Sequence, residues 1–203
     1  MQNFEPVNAQ SHSEMRIDEL QLPMLFERFH LVNVELKEAV QAASEYPLFF
    51  SRVANSQRWA ISALCGFGLN ENVFVQDNEW LAHYTPLSLQ TLPFSLQRGE
   101  GDSESALLLD TTSAVVSTQS GTALFLSSKR PSAFLDSKRK LLEERTVAMA
   151  QTGALLEEIA SMGLIRAVDI VIEFADGTQQ RVGGLAAVNE QQFQALNAEQ
   201  LAH

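Results

Sequence analysis

One cysteine in 203 residues, Cys65, excludes an internal disulfide framework and any cysteine-based zinc site. Positive charge is scarce: 14 Lys+Arg stand against 25 Asp+Glu, for a net charge of -11. Phosphate backbones and anionic lipid surfaces both need concentrated positive charge, so no nucleic-acid partner is expected. The one basic cluster, KRPSAFLDSKRK (Lys129–Lys140), is interrupted by Ala133, Phe134 and Asp136 and reads as the solvated start of a helix. No apolar run approaches the length of a membrane span, so no membrane insertion is expected. The opening MQNFEPVNAQSHSEMRIDEL has neither a positive n-region nor an apolar h-region, and the expected compartment is the reducing cytoplasm.

Catalytic signatures are equally sparse. The chain has no GxSxG elbow, no phosphate-binding P-loop and no dinucleotide GxGxxG. Its four histidines, His12, His30, His83 and His203, lack metal-ligand spacing. No metal, cofactor or catalytic residue is therefore assigned. Cys65 lies in SALCGFGL, whose small and apolar flanks supply no cation to stabilise a thiolate, so it reads as a packed, inert thiol.

What is present is an ordinary globular balance, 45% hydrophobic and 19% charged, enough apolar surface to offset chain entropy. Residues 1–22 are polar and weakly patterned and read as a flexible N-terminal arm. Residues 23–203 read as a single domain, with RGEGDSES (Arg98–Ser105) as an exposed loop and the best internal boundary.

The elements follow from period and punctuation. ELKEAVQAASEY places Leu36, Val40 and Ala43 at helical spacing, and the helix must end before Pro47. LFFSRV and WAISALCGFGL are bulky, strand-length runs on either side of ANSQR, which predicts a hairpin. NVFV, QDNE and WLAHY repeat that form. After Pro131 a helical period takes over through Leu141, Leu142, Arg145, Met149, Leu155, Leu156 and Ile159. It predicts one long helix over 131–162, or two broken near Gly153, stopping at Gly163. VDIVIEF alternates, Asp176-Gly177 supplies the turn, and QQRVGGL returns. Gly183-Gly184 reads as a bulge or turn. VNEQQFQALNAEQL closes the chain as a small helix with Asn189 as its N-cap. The class is α+β: a mainly antiparallel sheet packed by a long helix, with a C-terminal hairpin and short helix.

Several of these residues fall in an order that resembles the SapC family, whose name points to bacterial surface (S-) layers. They are Tyr46-Pro47 with Phe50, Ala63–Gly66, Asn72 with Phe74, Trp80, Tyr84 with Pro86, and Pro93-Phe94. Asp110, Gly121–Phe125 and the terminal GGLAAVNEQQFQAL continue the pattern. One departure stands at LQTLPF: the family often carries a basic residue shortly before Pro-Phe, and here Gln90 and Thr91 occupy those places. The resemblance implies no reaction and no cofactor. It implies an accessory role in envelope or surface-polymer biology, with a protein partner expected and a homodimer left open.

Two other functions compete with that one. Sugars and extended peptides stack on aromatic faces, so Tyr46, Trp80 and Tyr84, with Glu79 and His83 beside them, are candidate ligand-binding residues for a small molecule, glycan or peptide. The plainer reading has Trp and Tyr capping the edge of the core with a polar tip in water. If a strand ran through Glu79, Leu81 and His83, it would put a carboxylate and an imidazole on one face, the single acid–base pair an enzyme could use. In EYPLFFSRV, Pro47 stops a helix and Phe49 and Phe50 go to opposite faces of a strand, which assigns this stretch to the core.

Overall fold

Short extended runs broken by turn residues fill most of the chain, and a single long helical period interrupts them. The computed structural model describes residues 3–53, 56–99 and 105–201. The first elements are β1 (Phe4–Pro6), α1 (Ala9–His12), β2 (Arg16–Ile17), a 3-10 turn at Glu19–Gln21 and α2 (Leu22–Phe26). There follow β3 (Leu31–Val34), α3 (Leu36–Ala42), β4 (Leu48–Arg52), β5 (Trp59–Leu64), β6 (Val75–Gln76) and β7 (Glu79–Trp80). Next come α4 (Leu87–Gln90), β8 (Phe94–Gln97), β9 (Ala106–Asp110), β10 (Val116–Ser117) and β11 (Thr122–Ala123). The chain ends with α5 (Ala133–Ser161), β12 (Ile165–Glu173), β13 (Gln179–Val188), α6 (Glu190–Gln194) and α7 (Ala198–Leu201). Every described strand pairing is antiparallel, and the α+β class holds.

These elements form two compact units, Met1–Arg28 with Asn72–Val147, and Phe29–Glu71 with Ala148–His203. The chain passes between units near residues 28, 71 and 147, not at the expected 98–105 loop. Residues 100–104 of that loop lie outside the described residues; β8 and β9 pair on either side of it.

In the first unit β1, β9 and β8 make one sheet and β10, β2 and β11 a second. Residues 4–21, expected as a flexible arm, instead supply β1 and β2. Phe4 pairs with Asp110, and Ile17 lies between Val116 and Thr122 at 0% exposure. Gly121, at φ +92, is where β11 meets β2: an added Cβ would lie 2.2 Å from the Ile17 carbonyl oxygen. Ser132 starts α5 by accepting from Leu135 N (3.2 Å) while its hydroxyl donates to Ala123 O (2.7 Å). Phe134 then sets its ring 6.3 Å from that of Phe94 on β8. The Leu92–Pro93 bond just before β8 is cis.

The second unit holds a five-stranded sheet in the order β12-β13-β4-β5-β3. β4 and β5 form the expected hairpin, with Phe49 opposite Ser62 and Phe50 opposite Ile61. Phe49 packs on a cluster of Leu64, Val182 and Leu185, joined by Leu31, Phe67, Val168, Ile170 and Ile172. Tyr46 and Ser51 of this stretch are buried and Phe49 and Phe50 half-buried, so it packs onto the core. Gly66 lets the chain turn after β5, since a Cβ there would sit 2.2 Å from the Glu71 carbonyl oxygen.

Two helices differ from expectation in informative ways. α3 forms, but Val40 is 90% exposed, and the buried residues are Glu38 and Ala42. Glu35 and Glu38 close a capping box that fixes the helix face before any apolar spacing can. α5 runs unbroken through Gly153. Its buried stripe passes through Leu142, Ala148, Thr152 and Leu156, leaving Met149 exposed. It ends at a left-handed Gly163 (φ +71), with Gly163 N donating to Ala160 O and Leu164 N to Ile159 O, both at 3.0 Å. Those two bonds make a Schellman cap. The closing helix is split into α6 and α7, and Asn189 does cap α6, accepting from Gln192 N at 3.3 Å.

Candidate functional site

The residues singled out for ligand binding fall in different places. Tyr46 is only 2% exposed and lies in the second unit, where Pro47 leads into β4. Glu79, Trp80, His83 and Tyr84 lie in the first unit, on and after the β6–β7 hairpin. That hairpin turns on Asp77 and Asn78, both left-handed at φ 50 and 64. Two positive φ values in a two-residue loop define a type I′ turn, which Asn and Asp tolerate and β-branched residues do not. The expected strand WLAHY stops after Trp80, apart from a bond from Leu81 N to Phe74 O at 2.9 Å.

Trp80 is half-buried in a ring cluster. Its indole meets Phe26 edge-on at 5.3 Å and 82°, and Phe74 at 6.0 Å and 45°. Such edge-to-face contacts stabilise beyond their buried area. Asn72 holds the cluster together from beneath. Buried itself, it donates from Nδ2 to Phe26 O at 3.0 Å and accepts at Oδ1 from Phe74 N at 3.0 Å. One side chain thus ties the end of α2 to the start of the hairpin.

Beside this cluster is a depression of about 370 Å³ lined by Met24, Glu27, Val75, Asp77 and Asn78. Its position depends on the hairpin turn, because Asn78 Nδ2 donates to Gln21 Oε1 at 3.3 Å, next to α2. Trp80, His83 and Tyr84 are not among the lining residues. Glu79 and His83 are both exposed, and their stretch is no longer a strand by residue 83. No cluster of three or more metal-ligating side chains occurs among the described residues. Likewise, no described helix is long and apolar enough to cross a membrane.

Cys65 is fully buried, and burial pushes its thiol up to about 12. A thiol so protonated is a poor nucleophile at neutral pH. His203 lies outside the described residues.

Sequence patterning passed over one fully buried and one partly buried polar residue. His12, assigned to the supposed arm, is buried; its Nδ1 accepts from Asn8 N at 3.1 Å and its Nε2 lies 3.7 Å from Glu5 Oε2. An accepting Nδ1 places the neutral ring's proton on Nε2, facing the carboxylate. Lys138, read as part of a solvated basic cluster, donates to Gln90 O at 3.1 Å and sits 3.3 Å from Glu19 Oε1. A cation therefore does reach the turn before Pro93-Phe94, although from α5 and not from position 90 or 91. Asparagine, histidine and lysine carry no apolar period, so spacing alone could not show their burial.

Many of the residues that carry the family pattern are buried or closely packed. Tyr46, Asn72, Phe94 and Asp110 are buried, while Gly66 and Gly121 allow backbone to meet backbone. Asp110 Oδ1 accepts from Asn3 N, Thr112 N and Thr112 Oγ1 at 3.1, 3.2 and 2.7 Å, which joins β1 to the end of β9. The SapC family model matches residues 7–203, nearly the whole chain. The chain belongs to the SapC family. No curated protein and no solved structure matches it. For this SapC chain the pattern is thus mainly one of buried joints and close backbone approaches.

Proposed function

We propose that this SapC-family chain is a non-catalytic accessory or interaction protein in bacterial envelope or surface-polymer biology. The observation that carries the reading is the exposure of large apolar side chains around the β6–β7 hairpin. Leu20 is 83% exposed, and Met24, Val73 and Leu81 are each about half exposed on neighbouring stretches of the same unit. Exposed apolar surface of this kind supports a docking role, because covering it releases ordered water. A cytoplasmic address belongs to the same proposal, and the single unpaired cysteine is compatible with it.

The test is capture of partners by the tagged full-length chain from its native lysate, with a Leu20→Asp/Met24→Asp double variant run in parallel. An envelope protein recovered by the unaltered chain and lost by the variant supports the reading. An identical set of recovered proteins for both chains overturns it.

The depression beside the hairpin favours a second reading, a small-molecule, glycan or peptide binding protein. Two carboxylates, an amide and two apolar side chains line it. A thermal shift with one sugar or peptide that disappears in Asp77→Gly/Asn78→Gly would support that reading. Such a pair of glycines keeps the I′ turn while removing its side chains.

A further inference from the structure

β12 is an outer strand of the second unit's sheet, and it is long, nine residues from Ile165 to Glu173. Among the described residues its backbone pairs only with β13, so its other edge carries unpaired N–H and C=O groups. Edge strands that must stay single are kept short, or blunted by proline, lysine or a bulge. β12 has no proline and no lysine; its charged side chains are Arg166, Asp169 and Glu173, and Asp169 is paired with Arg181 of β13. The register shift opposite Val168 and Ile170 falls on β13, which takes the extra residue at Gly183-Gly184 with Gly184 at φ +77. β12 itself stays regular. It is also rich in β-branched residues, and Val171 is 59% exposed.

We propose that β12 pairs antiparallel with β12 of a second copy of this chain, about a two-fold axis through Ile170. This deepens the interaction reading above and rests on it. A register that keeps the inward face inward has its axis through a residue. An axis through Asp169 sets that carboxylate against its own copy, and one through Val171 sets Asp169 against Glu173. An axis through Val168 spends Ile170 on Arg166 and carries Ile172 past the partner strand's end.

The Ile170 axis avoids all of these. On the inward face it pairs Ile170 with Ile170, Val168 with Ile172, and Arg166 with Phe174, an exposed ring that a guanidinium can cover. On the outward face it pairs Asp169 with Val171 and Ala167 with Glu173. No like charges stand opposite each other, and β-branched side chains fill the centre.

The register makes a sign-specific test at Val171. Across the proposed axis Val171 faces Asp169 of the second copy, whereas within its own sheet it faces Arg181 on β13. Val171→Glu therefore strengthens the hairpin of one chain but weakens the pairing of two. Val171→Lys does the reverse. Sedimentation of the full-length chain is expected to show a dimer whose dissociation constant rises about tenfold in Val171→Glu and does not rise in Val171→Lys. Urea unfolding of the monomers should rank the two variants in the opposite order.

Amide exchange over 166–172 should slow as protein concentration increases. A chain that sediments as a monomer throughout overturns the proposal, even where an unrelated strand binds this edge. So does a dimer with no added protection on β12, or one that both variants weaken equally. The capture experiment is independent: an envelope partner recovered by a strictly monomeric chain would leave the interaction reading standing and remove only the β12 pairing.

Discussion

Asn72 shows what a single side chain contributes. It donates to Phe26 O and accepts from Phe74 N, both beside the Trp80 ring cluster. Asn72→Ala leaves two backbone groups without that partner, and a buried polar group so orphaned costs about 1–3 kcal/mol. Urea unfolding should show a loss in that range, and an unchanged midpoint would mean that Asn72 does not hold the hairpin. Cys65 makes a different prediction. Its folded pKa is raised to about 12, so the folded state holds the proton more tightly than the unfolded chain. Its contribution is complete below the ordinary thiol range and falls as pH rises from there toward about 12. A thiol reagent at pH 8 should leave native Cys65 unmodified and label it in step with unfolding; fast labelling of the folded protein would contradict its burial.

Elements were legible wherever one local signal was strong. The β12–β13 hairpin combines strict alternation with Asp176-Gly177, and the structure builds on both. Phe174 N donates to Thr178 O, Gly177 N donates to Phe174 O, and Gly177 takes φ +81. Asp176 Oδ1 accepts from Thr178 N at 2.9 Å and from Thr178 Oγ1 at 2.6 Å, which lowers the Asp176 pKa. A carboxyl depressed in the folded state adds stability that is full above its unfolded value and lost as pH falls through the folded value. Amide exchange at Gly177 and Thr178, corrected for intrinsic rates, should therefore accelerate below the usual carboxylate range, and Thr178→Val, which removes the hydroxyl bond but keeps the backbone one, should weaken that dependence. Short elements were not legible in this way. The strand read from WLAHY shrinks to Glu79–Trp80 because Trp80 turns into a ring cluster with Phe26, a residue more than fifty positions earlier. Composition shows that rings are present, but only tertiary contacts show that Trp80 meets Phe26 and Phe74.

At the scale of the whole molecule, the largest departure from the sequence reading is the N-terminal segment. Residues 1–22 have no period because their strands are two or three residues long, too short for alternation to register. What holds them is remote: β1 pairs with β9, β2 pairs with β10 and β11, and each partner lies about a hundred residues along the chain. Such pairings leave no local trace in a sequence and are slow to form. Their energetic weight can be measured directly. Ile17 is fully buried between β10 and β11, and truncating a buried isoleucine to alanine costs about 2–5 kcal/mol. Deleting residues 1–18 removes that side chain, both strands and buried His12 together, and uncovers β9 as a new edge. The truncated chain should unfold at clearly lower urea than Ile17→Ala and aggregate more readily, because an uncovered strand edge is a template for pairing. A dispensable arm would behave otherwise, leaving midpoint and solubility unchanged after the deletion. That result would return residues 1–18 to the role their composition alone assigns them.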